Sequence, residues 1–233
     1  MHELTLIHAA FLLAPLTVFL LAWVVQPRRG PLAVFPWYKR LALPTALLVG
    51  GAAGARLPVV LASADWVADG RTLTTGLAVG YLMVEAMRVA CRMPPAARDG
   101  LALPLALALV AARLECFAAG CCRGLETSLF WAVDFGDGVP RHPTQFYEAA
   151  FHLTAALAIF AGRRSEVVRG EVLRLYLLAY CLFRFATEWV RLEPACWLGL
   201  TLSQIIVATM GAVLAILGWH DFTCNRRTVP HKI

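Results

Sequence analysis

Residues 101 to 118 read LALPLALALVAARLECFA, twelve residues without a charge followed by Arg113, Leu114 and Glu115 inside the same apolar run. A helix needs about 20 mostly apolar residues to cross the hydrocarbon core of a bilayer. Working outward, runs of that kind extend over Leu4 to Val25, Leu41 to Ala62, Leu73 to Ala90, Thr144 to Ala161, Val172 to Val190 and Leu198 to Trp219. With Leu101 to Ala118 they predict an all-α fold, a polytopic membrane bundle of about seven transmembrane helices. Residues 1–233 are expected to form a single integral membrane domain, with no room for a separate soluble one. Composition agrees: 60% of residues are hydrophobic, 15% are charged and the mean hydropathy is +0.67, whereas soluble chains carry about 25% charged residues. Met1-His2-Glu3 supplies no cationic region and no cleavage site precedes the first run, so that run is read as a retained span.

The net charge of +6 does not point to nucleic acid, because no basic helix, zinc-finger spacing or aromatic stacking platform accompanies it. The cations fall between apolar runs instead. Arg28, Arg29, Lys39 and Arg40 follow the first run; Arg88, Arg92 and Arg98 the third; Arg163, Arg164, Arg169 and Arg174 the fifth; Arg226, Arg227 and Lys232 the last. The alternate segments are neutral or acidic, as in 63–72 with Asp65 and Asp69. The positive-inside rule then predicts an N-terminus outside and a cytoplasmic C-terminus. The longest gap, 119–141, holds Gly120, Gly124, Gly136, Gly138 and Pro140 and is expected to be an external loop.

Charges inside apolar runs cost roughly 2.5–3.5 kcal/mol on insertion scales and so should face a partner or a wet cavity. Four places qualify. Arg56 on the second span either snorkels to the interface or serves function. Arg113 lies near the external end of the fourth span, beside Glu115 and just before the glycine-bearing loop. Residues 141 to 148, RHPTQFYE, crowd polar groups at the start of the fifth span; His142 or Thr144 could cap that helix, and Glu148, one turn inside, needs a cationic partner. Arg184, Glu188 and Arg191 fall on one face of the sixth span at i, i+4 and i+7. They form either an ion-pair ladder or a guanidinium site for an anionic lipid head, since arginine binds phosphate oxygens bidentately.

Of seven cysteines, Cys116, Cys121 and Cys122 cluster near the loop, with His142 some twenty residues on. A disulfide from Cys116 to one of the vicinal pair, or simple packing, is the ordinary reading. Metal ligation by thiolates and imidazole, and a thiol nucleophile or transient carrier activated by Arg113 and Arg123, are the alternatives. Cys91, Cys181, Cys196 and Cys224 are scattered and receive no role.

Taken together, Asp99 with Arg113 fourteen residues later, Gly120 to Gly124, His142 to Glu148, and Phe183-Arg184 through Glu188 and Arg191 resemble the phosphatidylglycerol:prolipoprotein diacylglyceryl transferases. Gly54-Ala55-Arg56 and residues 70–76 look like two further segments of that family. The resemblance implies a bacterial inner (plasma) membrane protein that moves the diacylglyceryl group of phosphatidylglycerol to the thiol of a lipoprotein cysteine, with glycerol 1-phosphate leaving. By that resemblance Arg113 and Arg184 are the essential arginines and His142 the candidate proton acceptor. Arg56, Cys116, Gly124, Gln145, Glu188 and Arg191 are then the substrate-binding residues. No metal or other cofactor is expected; the partners are phosphatidylglycerol, a prolipoprotein or another thiol or nucleophile acceptor, and the membrane. This chain departs from the family pattern at Thr74, where a histidine is common, and at Cys116 and Cys121, where asparagine and glutamate are expected. Those departures leave two rivals: a phospholipid-dependent transferase with a different acceptor, and a non-catalytic lipid- or metal-binding membrane protein.

Overall fold

The computed structural model describes residues 2–26, 34–63, 72–163 and 168–228. Arg28, Arg29, Arg164 and Lys232, the acidic residues Asp65 and Asp69, and Gly70 with Arg71 lie outside the described residues. Among the described residues seven α-helices follow in order: α1 (His2–Val25), α2 (Trp37–Ser63), α3 (Leu73–Ala90), α4 (Ala102–Ala118), α5 (Thr144–Gly162), α6 (Val172–Thr187) and α7 (Leu202–Thr228). Two short antiparallel ribbons are added to this all-helical framework. Strand β1 (Val133–Asp134) pairs with β2 (Pro140–Arg141), and β3 (Ala195–Trp197) with β4 (Leu200–Thr201).

Each predicted apolar run lies on one of these helices. Two boundaries differ in ways that matter. Helix α6 stops at Thr187, passes through a 3-10 turn at Glu188–Val190, and gives Arg191 an extended backbone with φ −106° and ψ 154°. The expected helical face through Arg191 is therefore broken. The expected start of the last span at Leu198 falls in the β3–β4 ribbon, and the helix begins at Leu202.

Among the described residues, four helical stretches are long and apolar enough to cross a membrane: Trp37–Leu61, Leu73–Ala90, Pro95–Ala118 and Leu202–Asp221, beside a shorter apolar stretch at Leu13–Val25. The remaining two helices carry the polar load. Within its first turns α5 buries Gln145, Glu148 and His152, and the 16 residues of α6 include buried Arg174 and Arg184. These helices sit in the bundle as bearers of polar chemistry rather than as plain hydrophobic spans.

Packing between α2 and α3 depends on backbone contact. Gly50 and Gly54 on α2, and Gly76 and Gly80 on α3, are each spaced by four, the small-residue pattern that lets membrane helices approach closely. A Cβ added at Gly54 would lie 2.5 Å from Val79 Cβ and 2.7 Å from Thr75 O, and one at Gly76 would lie 2.9 Å from Gly51 O. This face turns Arg56, two residues beyond Gly54, to the exposed side of α2.

An ionic clamp closes one end of the bundle. Arg98, fully buried, pairs with Glu85 at 2.5 Å and Glu171 at 3.1 Å and donates to Gly170 O at 2.7 Å. Buried Arg174 meets Glu171 and Asp221, both at 2.6 Å, and donates to Tyr81 Oη at 3.3 Å. Asp99 accepts from Gly170 N at 2.5 Å. Arg98 and Arg174, read from sequence as loop cations, are thus bolts joining α3, α6, α7 and the 3-10 turn at Pro95–Leu101. They can be buried because carboxylates from α3, from α7 and from the residue that precedes α6 converge there.

Gly54→Val should cost about 1–3 kcal/mol by overpacking the α2–α3 contact. Thermal unfolding in detergent micelles would show this as a lowered Tm. Gly162→Ala, where an added Cβ meets nothing within 4 Å, should leave Tm unchanged or slightly raised.

Candidate functional site at the arginine end of the bundle

Along α4, roughly 20 Å from the clamp at about 1.5 Å per residue, Arg113 begins a second charged centre. It is fed by the C-terminal turn of α4, the first turns of α5, the end of α6 with its 3-10 turn, and the start of α7. Arg113 Nη2 lies 2.8 Å from Glu148 Oε2, which also accepts from Tyr180 Oη at 3.2 Å. Arg191 Nη1 lies 3.2 Å from the other oxygen of Glu148 and donates to Thr144 Oγ1 at 3.3 Å. Glu188 pairs with Arg184, lies 3.9 Å from Arg191 Nε and accepts from Thr201 Oγ1 at 2.8 Å. Ser203 Oγ lies 3.5 Å from Arg184 Nη2. Arg113 and Arg184 are therefore two ends of one chain: guanidinium, Glu148, Arg191, Glu188, guanidinium.

All five charged groups are buried. Three guanidiniums face two carboxylates, so the buried centre carries one net positive charge. Glu193, 44% exposed, reaches Arg191 at 3.9 Å from the rim. Arg113 Nε is buried with no hydrogen-bond partner among the described residues, and so is Gln145 Oε1. Such groups cost free energy unless a ligand or water meets them. The arrangement is suited to an anion.

The sequence-derived residues do not all gather here. Arg113, Arg184, Glu188 and Arg191 do, and Glu148 has the cationic partners its position demanded. Arg113 takes Glu148 rather than its neighbour Glu115. Arg56 is exposed on α2 and is not among the guanidiniums at Glu148 and Glu188. Thr74 is 3% exposed in α3, on the helix that packs against α2. His142 Nδ1 is engaged with Tyr147 Oη at 3.0 Å, and Tyr147 in turn accepts from Trp131 Nε1 at 2.7 Å. Neither His142 nor Thr144 caps α5; Thr144 Oγ1 donates to Cys122 O at 2.7 Å.

Gly124 serves the scaffold. An added Cβ would sit 2.6 Å from both His142 Cβ and Val190 O, because Gly124 bridges to Arg191 and donates to His142 O at 3.0 Å. This crossing ties the 119–143 loop to the segment that presents Arg191. Gln145, fully buried, donates to Cys121 O. Cys116, Cys121 and Cys122 are free thiols rather than a disulfide, and among the described residues no group of three metal-ligating side chains forms a metal site.

Sequence reading missed Tyr180, Tyr176 and His152. Tyr180 reaches Glu148, and fully buried His152 pairs its Nδ1 with Tyr176 Oη at 2.8 Å. The buried polar positions four apart on α6 (Tyr176, Tyr180, Arg184) were the available signal. An apolar cavity of about 220 Å³ opens between α1, α2, α3 and α4, lined in part by Phe19, Gly51, Ala55, Leu77, Ala108 and Leu109. Leu109 is one helical turn from Arg113.

The fold and the site define a multi-pass helical membrane protein with a cationic centre buried at one end. The family described as prolipoprotein diacylglyceryl transferase matches residues 9–220, and the chain belongs to that family. Three phosphatidylglycerol–prolipoprotein diacylglyceryl transferases are similar in part. That of Nitratidesulfovibrio vulgaris is 44% identical over 94 residues, covering 36% of this chain and 34% of the relative. That of Bordetella parapertussis is 35% identical over 134 residues, 54% and 51% of the two chains. That of Methylococcus capsulatus is 42% identical over 123 residues, 48% and 46%. The matches thus span between a third and a half of the relatives' length.

Glu148→Gln removes the charge that two buried guanidiniums share. Breaking a buried pair costs about 3–5 kcal/mol, so this variant should unfold at markedly lower temperature than wild type. Removing the rim carboxylate by Glu193→Gln should shift Tm by less than a degree or two, since exposed pairs contribute about 0–1 kcal/mol.

Proposed function

We propose that the chain transfers the diacylglyceryl group of phosphatidylglycerol to the cysteine thiol of a prolipoprotein, in the bacterial inner membrane. In this reading the N-terminus is outside and the C-terminus cytoplasmic, so the 119–143 loop and the arginine centre lie toward the external face. The observation that carries the reading is the excess positive charge shared by Arg113, Arg184 and Arg191 within a bundle of apolar helices.

The chemistry follows from that charge. A thiolate attacks the glyceryl carbon, a carbon–sulfur bond forms, the carbon–oxygen bond to phosphate breaks, and glycerol 1-phosphate leaves with more negative charge than the diester carried. Preorganised guanidinium donors in a low-dielectric site stabilise charge developing on such a leaving group. Arg113 and Arg184 hold the phosphate from the two ends of the centre. Glu148 and Glu188 keep their planar forks oriented without neutralising the whole. The apolar cavity one turn along α4 suits the hydrocarbon part of the lipid.

The test is complementation in a bacterium depleted of its own transferase. Wild type should restore lipidated prolipoprotein and growth; Arg113→Ala and Arg184→Ala should each abolish rescue, with activity reduced at least a hundredfold in membranes that contain the protein at wild-type level. Rescue by both variants would refute the reading. Release of glycerol phosphate without lipidation of prolipoprotein would transfer the assignment to a different acceptor.

A further inference from the structure

The apolar cavity between α1, α2, α3 and α4 has a definite size, depth and floor. Its volume is about 220 Å³, and every residue that lines it is aliphatic, aromatic, glycine or proline. Since a cavity of about 150 Å³ takes up one benzene of about six carbons, this one takes roughly nine. That is a large part of one acyl chain and too little for two. Along α4 the lining runs from Leu109, one turn from Arg113, to Leu105, about 12 Å from Arg113 at about 1.5 Å per residue. The hydrocarbon of one leaflet is about 15 Å deep, so the cavity ends near the depth at which a chain of the outer leaflet ends. The orientation of the walls follows from two contacts. Glu85 near the end of α3 meets Arg98 before α4, and Thr72 N at the start of α3 donates to Ala55 O at 2.9 Å, so Ala55 and the start of α3 lie at the arginine end. Buried Phe19, Leu47 and Leu105 close the other end.

We propose that this cavity takes one acyl chain of the phosphatidylglycerol whose phosphate the arginine centre holds, and gauges its length, so that the protein selects among phosphatidylglycerols by acyl chain. The inference rests on the transferase reading. Moving a chain from lipid into an apolar cavity gains little from the hydrophobic effect, because lipid tails are as apolar as leucine. Selection therefore comes from fit. With the phosphate fixed at Arg113, a chain too long for the floor at Phe19 and Leu105 holds the glyceryl carbon away from the attacking thiolate. A chain too short leaves part of the lining without contacting atoms and forfeits their dispersion attraction. The second chain stays in the bilayer. Leu16 of α1, 37% exposed, and exposed Ala52 of α2 stand at the edge of the cavity and open it sideways to lipid.

Gly51 sets the width of the gauge. Its neighbours in the α2–α3 contact, Gly50, Gly54, Gly76 and Gly80, have no room, since a Cβ added to any of them would meet another atom at 2.5 to 3.1 Å. A Cβ added at Gly51 would meet only Gly76 O, at 3.8 Å. A side chain placed there enters the cavity and leaves the helix contact intact. Leucine would bring about four carbons into a space for roughly nine. Phe19→Ala acts in the opposite sense by lowering the floor.

The test is glycerol phosphate release by the full-length protein with one prolipoprotein and dilauroyl, dipalmitoyl or distearoyl phosphatidylglycerol, compared as ratios of kcat/KM. A ratio taken within one protein does not move with the fraction that is folded. Gly51→Leu should raise the dilauroyl-to-dipalmitoyl ratio at least tenfold over wild type. Phe19→Ala should raise the distearoyl-to-dipalmitoyl ratio at least tenfold. Ala53→Leu, at an exposed position of α2 outside the cavity lining, should leave both ratios as in wild type. Where a variant has lost turnover, retention of the same lipids in native mass spectrometry reads the same ratio. A wild-type ratio, within threefold, in either Gly51→Leu or Phe19→Ala overturns the gauge alone. An inactive wild type overturns the transferase reading and the gauge with it.

Discussion

A guanidinium deep in a helical membrane bundle cannot lose its charge, so it must be answered by other charges or by a ligand. Most of this structure is arranged around that constraint. At one end, Glu148 and Glu188 each serve two arginines, which draws α4, α5 and α6 together and bends the chain after Thr187 so that Arg191 can reach back between the two carboxylates. The pairing is deliberately incomplete in charge. Two carboxylates orient three guanidiniums and leave an electrostatic demand for one anion, in surroundings where the desolvation of an unmatched charge is costly.

The rest of the bundle supplies rigidity. Arg98 and Arg174 fasten the opposite end through Glu85, Glu171 and Asp221. The glycine contacts of α2 and α3 fix a second helix pair at backbone distance. With both ends pinned, the guanidiniums of the centre are held in a fixed arrangement, which is what charge stabilisation of a leaving group requires. Loop 119–143 is pinned as well, through Gly124, Thr144 and Gln145, so that the thiols beside Arg113 are held in place rather than swept across the surface.

Much of this was legible in the residues. Apolar runs near bilayer length marked the helices, and charges lodged inside them marked Arg113, Glu148, Arg184 and Glu188, because hydrophobic surroundings make an ionisable group conspicuous. What escaped detection depended on where the chain turns. Arg191 looked helical from its spacing, yet it reaches Glu148 through extended backbone. Arg98 and Arg174 looked like loop cations because Glu85 and Asp221 reach them from distant segments. Spacing left Arg56 open between an interfacial and a functional place, and the glycine face of α2, which packs inward, turns it out. His142 read as a helix cap or proton acceptor, and the tie of its Nδ1 to Tyr147 depends on how the chain enters α5.

The central claim is that the buried centre holds the phosphate of an anionic lipid, and native mass spectrometry of the protein released from mixed micelles tests it most directly. With equal phosphatidylglycerol and phosphatidylethanolamine supplied, the wild-type protein should retain one phosphatidylglycerol in strong preference. The doubly substituted Arg113→Met, Arg184→Met protein should retain the two lipids alike. Equal retention of both lipids by the wild type, or undiminished preference in the double variant, would contradict the account.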